Sequence, residues 1–173
     1  AGIPSTHIST LDQVLAAAKL KAAGFALGLC ALQPPAEEKS NGVLALAIGE
    51  STVSLQITCG GGVAALRALE GAVENPTGQP TLLPNLVARE ARITLGQLPA
   101  GLRETVKRIR IFGPRELAQP LADEMELRFE PMGLTVEIVA GYAPGEFGAE
   151  IPPRTPVSAA FSLAARWLME QAV

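Results

Sequence analysis

The centre of this sequence is an unbroken apolar run, Val43-Leu44-Ala45-Leu46-Ala47-Ile48-Gly49. Six consecutive apolar residues before a glycine are typical of a strand that is covered on both faces of its sheet. Polar and apolar residues then alternate from Val53 to Thr58, which predicts a second strand with one buried face. A third run, Val63 to Leu69, predicts a strand that pairs back on the second, although the helical propensity of Ala64 to Leu69 leaves a helix as the alternative. These three strands would form an antiparallel meander.

A second group of elements follows further along the chain. Arg108 to Phe112 predicts a strand that Gly113-Pro114 stops, and a helix is expected from about Pro120 to Phe129. Leu134 to Val139 predicts the next strand. The order strand, helix, strand implies parallel pairing through a right-handed crossover. The expected fold is therefore α/β, with a mixed five-stranded sheet made of the meander plus the parallel unit and flanked by helices.

The remaining segments predict further helices, strands and loops. A capping-box pattern at Thr10 and Gln13 predicts a first helix over Leu11 to Ala23, and helical spacing from Leu83 to Leu98 predicts another. The other expectations are a strand at Phe25 to Leu32, loops at Glu74 to Pro80 and Gly141 to Pro153, and a last helix from Thr155 that buries Phe161 and Trp167.

Composition narrows the classes of function. The 173 residues are 48% hydrophobic and 18% charged, with a net charge of −3 that offers little attraction to nucleic acid or to anionic lipid. Lys19 and Lys21 interrupt the most apolar stretch, so a membrane span is not predicted. Two cysteines and one histidine are too few for a disulfide scaffold or a histidine-based zinc site. We therefore expect a reducing compartment, buried inert thiols at Cys30 and Cys59, and His7 on the surface.

Two glycine-containing strand ends are the candidate binding site. Gly49-Glu50-Ser51-Thr52 follows one central strand and Gly113-Pro114-Arg115 follows another. In open sheets, ligands bind outside the carboxyl ends of the strands, where glycine lets a phosphate approach the backbone. Ordinary turns are the alternative interpretation. The candidate cofactor-binding residues are Gly49, Glu50, Ser51, Thr52, Gly113 and Arg115.

No set of residues predicts catalysis or metal binding. Gly60-Gly61-Gly62 lacks the lysine and hydroxyl of a phosphate-binding loop, so a hairpin tip is expected there. Glu124, Glu126 and Arg128 are expected to form a solvated helix face.

The order of elements resembles the second half of actin-like proteins, in particular the PilM-type platform proteins of type IV pilus assembly and the cytoplasmic domain of the type II secretion L protein. Val43 to Gly49 resembles the phosphate-loop strand of that group, and Gly61 to Arg67 resembles its hairpin return strand with an arginine. Arg108 to Gly113, with Leu117 to Leu121 beyond it, resembles the adenosine-loop strand and its helix. The resemblance implies that residues 1–42 connect to a preceding half and that residues 43–173 form an actin-like second-half domain.

Three departures from the family pattern shape the expected function. Ala47 stands where the family has an acid that helps to hold the metal, Pro114 replaces the second glycine of the adenosine motif, and the segment of the upper lobe is reduced to about Gly71 to Pro80. The resemblance then implies a scaffold without enzymatic activity or a cofactor. Such a scaffold would be cytoplasmic, held at the inner membrane by binding the cytoplasmic tails of pilus or secretion subunits, with self-association as a further option.

Two other hypotheses remain open at this point. One is an active ATPase or kinase of the actin-like class that binds ATP and Mg²⁺, with its acid supplied by Glu50 or by the preceding half. The other is a free-standing α/β binding module, which strands Val43 to Ile48 and Arg108 to Phe112 in different sheets would favour.

Overall fold

The computed structural model describes residues 4–22, 41–59, 62–75 and 78–139. The helices are α1 (Ser5–Ala17), α2 (Pro84–Gln97), the single turn α3 (Ala100–Arg103) and α4 (Arg115–Phe129), which a 3₁₀ turn at Glu130–Met132 extends. The strands are β1 (Gly42–Ile48), β2 (Thr52–Cys59), β3 (Gly62–Glu70), β4 (Val73–Glu74), β5 (Thr81–Leu82), β6 (Val106–Phe112) and β7 (Thr135–Val139).

Five of these strands form one mixed sheet in the order β3-β2-β1-β6-β7. The pairs β1·β2 and β2·β3 are antiparallel, whereas β1·β6 and β6·β7 are parallel. A meander continued by a parallel strand-helix-strand unit is the arrangement of the ribonuclease H-like half of actin-like proteins. The predicted fold class is therefore confirmed, and β1 and β6 lie in the same sheet.

The main core lies between one face of this sheet and the helices α2 and α4. Leu44, Leu46 and Leu55 from the sheet belong to the same buried cluster as Val87 of α2 and Leu121 of α4. The buried positions of α2 repeat at helical spacing, as the sequence predicted, and Pro84 occupies its first turn. Continuous apolar character along β1 arises because its other face is also covered: Ala45 has no exposed surface.

A smaller cluster occupies the second face of the sheet. Ala45, Phe112 and Val139 are its buried members, and Ala47 and Leu66 pack against them. Gln56 is also on this face and is 1% exposed. The second face is therefore part of the interior, with small side chains at its centre.

The strand β3 contains one extra residue relative to β2. Ile57 pairs with Ala65 while Thr58 pairs with Val63, which leaves Ala64 without an opposite residue. This is a β-bulge, and it shifts the register of the ladder near the start of β3. The strand assignment of Val63 to Leu69 is confirmed, and the helical alternative is wrong.

The first helix is shifted relative to its prediction. It covers Ser5–Ala17 rather than Leu11 to Ala23, with Pro4 at its amino-terminal boundary. The Thr10 hydroxyl donates to the carbonyl of Thr6, 2.9 Å away, so Thr10 lies inside the helix and does not cap it. Lys19, at φ 59°, follows the end of the helix. The predicted boundary is wrong because α1 has no buried residue. Without contacts to the core, the spacing of its apolar residues does not indicate where the helix begins or ends.

Two further boundaries differ from the expectation. Helix α4 begins at Arg115, five residues earlier than predicted, so Pro120 is inside it and Pro114 occupies its boundary. The loop expected at Glu74 to Pro80 begins with a paired residue, since Glu74 pairs with Thr81 in the small β4·β5 ladder.

Several predictions fall outside the described residues. They are the strand at Phe25 to Leu32, the loop at Gly141 to Pro153, the helix from Thr155, and the interior positions of Cys30, Phe161 and Trp167. Among the described helices, none combines the length and apolar character needed to cross a bilayer.

Candidate functional site

The structure brings the two predicted strand ends together. Strands β1 and β6 run parallel as neighbours, and their last paired residues are Ala47 and Phe112. Gly49 and Gly113 therefore follow at the same edge of the sheet. Close packing confirms the proximity, because a Cβ placed on Gly113 would lie 2.9 Å from the Cβ of Ile48.

The Gly49 to Thr52 segment is the tight turn of the β1·β2 hairpin. The amide of Gly49 donates to the carbonyl of Thr52 at 2.9 Å, which places Glu50 and Ser51 between the two strands. A Cβ on Gly49 would approach that same carbonyl to 3.1 Å. Glu50 and Ser51 are exposed. This part of the candidate site therefore has the geometry of an ordinary turn, with its polar side chains directed to the surface of the molecule.

The Gly113 to Arg115 segment joins β6 to helix α4. Gly113 has φ 153°, and Pro114 takes the extended conformation (φ −58°, ψ 136°) at the helix boundary. The carbonyl of Pro114 accepts the amides of Leu117 and Ala118 at 3.0 and 2.9 Å. No side chain caps this helix end, and Arg115 is exposed beside it. The predicted site thus combines a hairpin turn, a positive-φ glycine and the amino terminus of α4.

The chemistry at this edge is sparse. Ala47, where the family resemblance leads us to expect an acid, is half-buried and packs against the apolar cluster of the second face. The proline at position 114 has no amide hydrogen to offer a ligand. In the described ranges, no cluster of three or more histidine, cysteine, aspartate or glutamate side chains could hold a metal ion. Among the residues that the structure describes, the two tips offer a ligand their backbone and the exposed side chains of Glu50, Ser51 and Arg115.

The arginine of the hairpin return strand is engaged elsewhere. Arg67 donates to the hydroxyl of Thr94 at 2.8 Å and to the carboxylate of Glu90 at 3.0 Å, both on α2. Thr94 is 1% exposed and donates in turn to the carbonyl of Glu90. This network was not predicted from the sequence. The one sequence feature that pointed to it is the presence of an arginine, Arg67, in an otherwise apolar strand. The network attaches the outer strand β3 to α2.

A second charged contact, on the opposite face of the sheet, was also missed. Arg110 Nε donates to Glu137 at 2.6 Å, and the guanidinium lies 5.3 Å from the centre of the Phe112 ring. Parallel pairing places Arg110 directly opposite Glu137, which explains the contact.

The face of Glu124, Glu126 and Arg128 is only partly solvated, contrary to the prediction. Arg128 pairs with Glu124 one turn earlier, and it also donates to Asn85 of α2 at 2.6 Å. The Glu124 side chain is 17% exposed because α2 packs nearby, whereas Glu126 is exposed as expected. The single cysteine that the structure describes, Cys59, is a buried free thiol, and His7 is exposed, both as predicted.

Several solved structures are similar to this chain, and two of them are described here. One is a protein of unknown function with an actin-like ATPase fold from Bacteroides thetaiotaomicron, with 10% identity and a TM-score of 0.44 over 76% of this chain. The other is a glycerol dehydratase reactivase, with 13% identity and a TM-score of 0.41 over 93% of this chain. The match covers 38% of the length of each of those two proteins. The sequence matches no known protein-family model and no curated protein.

Proposed function

We propose that the chain is a non-catalytic actin-like scaffold that binds partner proteins in a membrane-associated assembly of the type IV pilus or type II secretion kind. The observation that supports this proposal is the paired strand ends, which lie together as in a nucleotide site but carry Ala47 and Pro114 at the positions of the acid and the second glycine. A cleft without a carboxylate on its first strand has no group there to hold Mg²⁺ at a phosphate. Capture of a peptide or a protein surface needs no such group.

The direct test is the thermal stability of the 173-residue chain with and without millimolar ATP and Mg²⁺. A ligand at one hundred times its Kd stabilises the folded state by about 2.7 kcal/mol. For a domain of this size that corresponds to a rise in Tm of roughly 5–10 °C. We expect no such rise and no release of phosphate from ATP. A rise of that size would contradict the scaffold proposal.

The second candidate is nucleotide binding by an actin-like ATPase or kinase. It is favoured by one observation: the uncapped amino terminus of α4 and the β1·β2 turn lie at the same edge of the sheet. In this hypothesis Glu50 or the preceding half supplies the acid, and Arg115 contacts a phosphate. Replacing Arg115 by Ala would then abolish an ATP-dependent rise in Tm, whereas the scaffold proposal predicts the same Tm behaviour for both proteins.

The partner side of the proposal is tested by binding. Synthetic peptides with the sequences of the cytoplasmic tails of neighbouring membrane subunits would be titrated into the chain by calorimetry. Saturable binding of one tail, with a scrambled tail as the control, is the expected result. Failure of every tail encoded beside this gene would overturn the assignment to such a membrane assembly.

A further inference from the structure

The amino-terminal end of β6 carries a group of exposed cations. Arg103 closes the short helix α3, and Lys107 and Arg108 follow within the first three residues of β6. All three residues are exposed. None of them forms an ion pair with any residue of the described ranges, in contrast to Arg67, Arg89, Arg110 and Arg128.

This group is held by the frame of the sheet. The carbonyl of Thr105 accepts the amide of Gly42 at 2.7 Å, which fixes the turn before β6 to the start of β1. The Thr105 hydroxyl donates to the carbonyl of Leu102, also at 2.7 Å. Arg108 lies in register between Val43 of β1 and Thr135 of β7. The cations are therefore presented on fixed backbone, at the opposite edge of the sheet from Gly49 and Gly113.

We propose that Arg103, Lys107 and Arg108, here called the basic patch, are a docking site for a short acidic segment of a partner protein. The inference rests on the proposed scaffold function, for which it names a class of partner. Charge complementarity supports it: the whole chain has a net charge of −3, yet the segment from Arg103 to Arg108 has three cations and one acidic residue, Glu104. Leu102, 40% exposed, lies next to the patch and offers an apolar contact to the same segment.

A protein segment fits the patch better than an anionic lipid surface does. A membrane presents its charge over a wide plane, so the net negative charge of the chain opposes the approach. For a short segment bound at the patch, charges further away than the Debye length of about 8 Å are largely screened at physiological salt, so the segment interacts mainly with the patch itself. It can also place its carboxylates beside the cations and away from Glu104.

The test measures binding of a fluorescein-labelled octaglutamate peptide to the 173-residue chain by fluorescence anisotropy. We expect saturable binding at low salt that weakens as salt is added. Replacing Lys107 by Glu should weaken binding about tenfold, because the new carboxylate repels the peptide. Replacing Lys107 by Arg should leave binding unchanged.

Arg92→Glu is the matched control, since Arg92 is an exposed residue of α2 and the substitution changes the net charge by the same amount. We expect less than a twofold effect from it. Equal weakening by Lys107→Glu and Arg92→Glu would overturn the proposal, because binding would then follow net charge alone. Absence of peptide binding, or binding to phosphatidylglycerol vesicles but not to the peptide, would also overturn it. The scaffold proposal is contradicted by a rise in Tm with ATP, whereas this inference is contradicted by the peptide-binding results. The two failures are therefore distinguishable.

Discussion

At the scale of single residues, Gly113 is a position where the fold tolerates little change. Its φ of 153° is a conformation that other residues rarely adopt, and a Cβ there would meet Ile48 at 2.9 Å. We expect Gly113→Ala to lower the free energy of unfolding by about 2–4 kcal/mol, as strain and overlap combine. The measurement is the midpoint of urea unfolding followed by circular dichroism.

Gly96 gives the control of opposite sign. It lies in α2, and a Cβ there would have no atom within 4 Å. Gly96→Ala should therefore stabilise the chain by about 0.5–1 kcal/mol, through helix propensity alone. If Gly96→Ala also lowered the urea midpoint, the loss of stability in Gly113→Ala could not be attributed to the close approach of Gly113 to Ile48.

Residue roles were predictable from the sequence where they depend on the nearest neighbours in the chain. The thiol of Cys59 is buried because it lies on the core-facing side of β2, an interior strand of the sheet. The glycines at positions 49 and 113 occupy the turns that follow β1 and β6. The partners of Arg67 and Arg110 could not be predicted in the same way. Both contacts join residues more than twenty positions apart, and they depend on strand register and helix placement.

At the scale of elements, helix α4 contains a proline at an interior position. Pro120 cannot donate a backbone hydrogen bond, and its ring crowds the preceding turn. Because Pro120 is exposed, Pro120→Ala should stabilise the chain by about 1–3 kcal/mol. Thermal unfolding and urea titration would both register the change.

Pro114 provides the comparison within the same segment. It stands at the boundary of α4, where a missing amide hydrogen costs nothing. Pro114→Ala should therefore change stability by less than about 0.5 kcal/mol. A stabilisation as large as that of Pro120→Ala would contradict this explanation, because removal of a proline also makes the unfolded chain more flexible and by that route lowers stability.

The elements that sequence predicted well are those with core contacts on a regular period. Strands β1, β2, β3, β6 and β7 and helix α2 all have such contacts. The boundaries of α1 and α4 were wrong for different reasons. Helix α1 has no buried face, so the sequence pattern does not indicate its length. Helix α4 continues through Pro120, although a proline normally indicates the start of a helix.

At the scale of the whole molecule, the larger of the two buried clusters in the described residues joins one face of the sheet to α2 and α4. Helix α1 contributes no buried residue to it. Removing residues 1–20 should therefore leave the urea midpoint unchanged. Phe129→Ala, at a fully buried side chain of α4, should lower stability by about 3–5 kcal/mol in the same assay. A loss of comparable size on removal of residues 1–20 would show that the first helix shares in the core.

The extra residue at Ala64 has a consequence for growth of the sheet. A strand arriving from another molecule needs a run of backbone groups in step with its own, and the bulge divides β3 into Gly62 and Val63 on one side and Ala65 to Glu70 on the other. Such a strand can form a regular hydrogen-bonded ladder with one of these two portions but not with both. An irregular strand of this kind hinders edge-to-edge association of copies of the chain, and natural β-sheet proteins use bulges for this purpose.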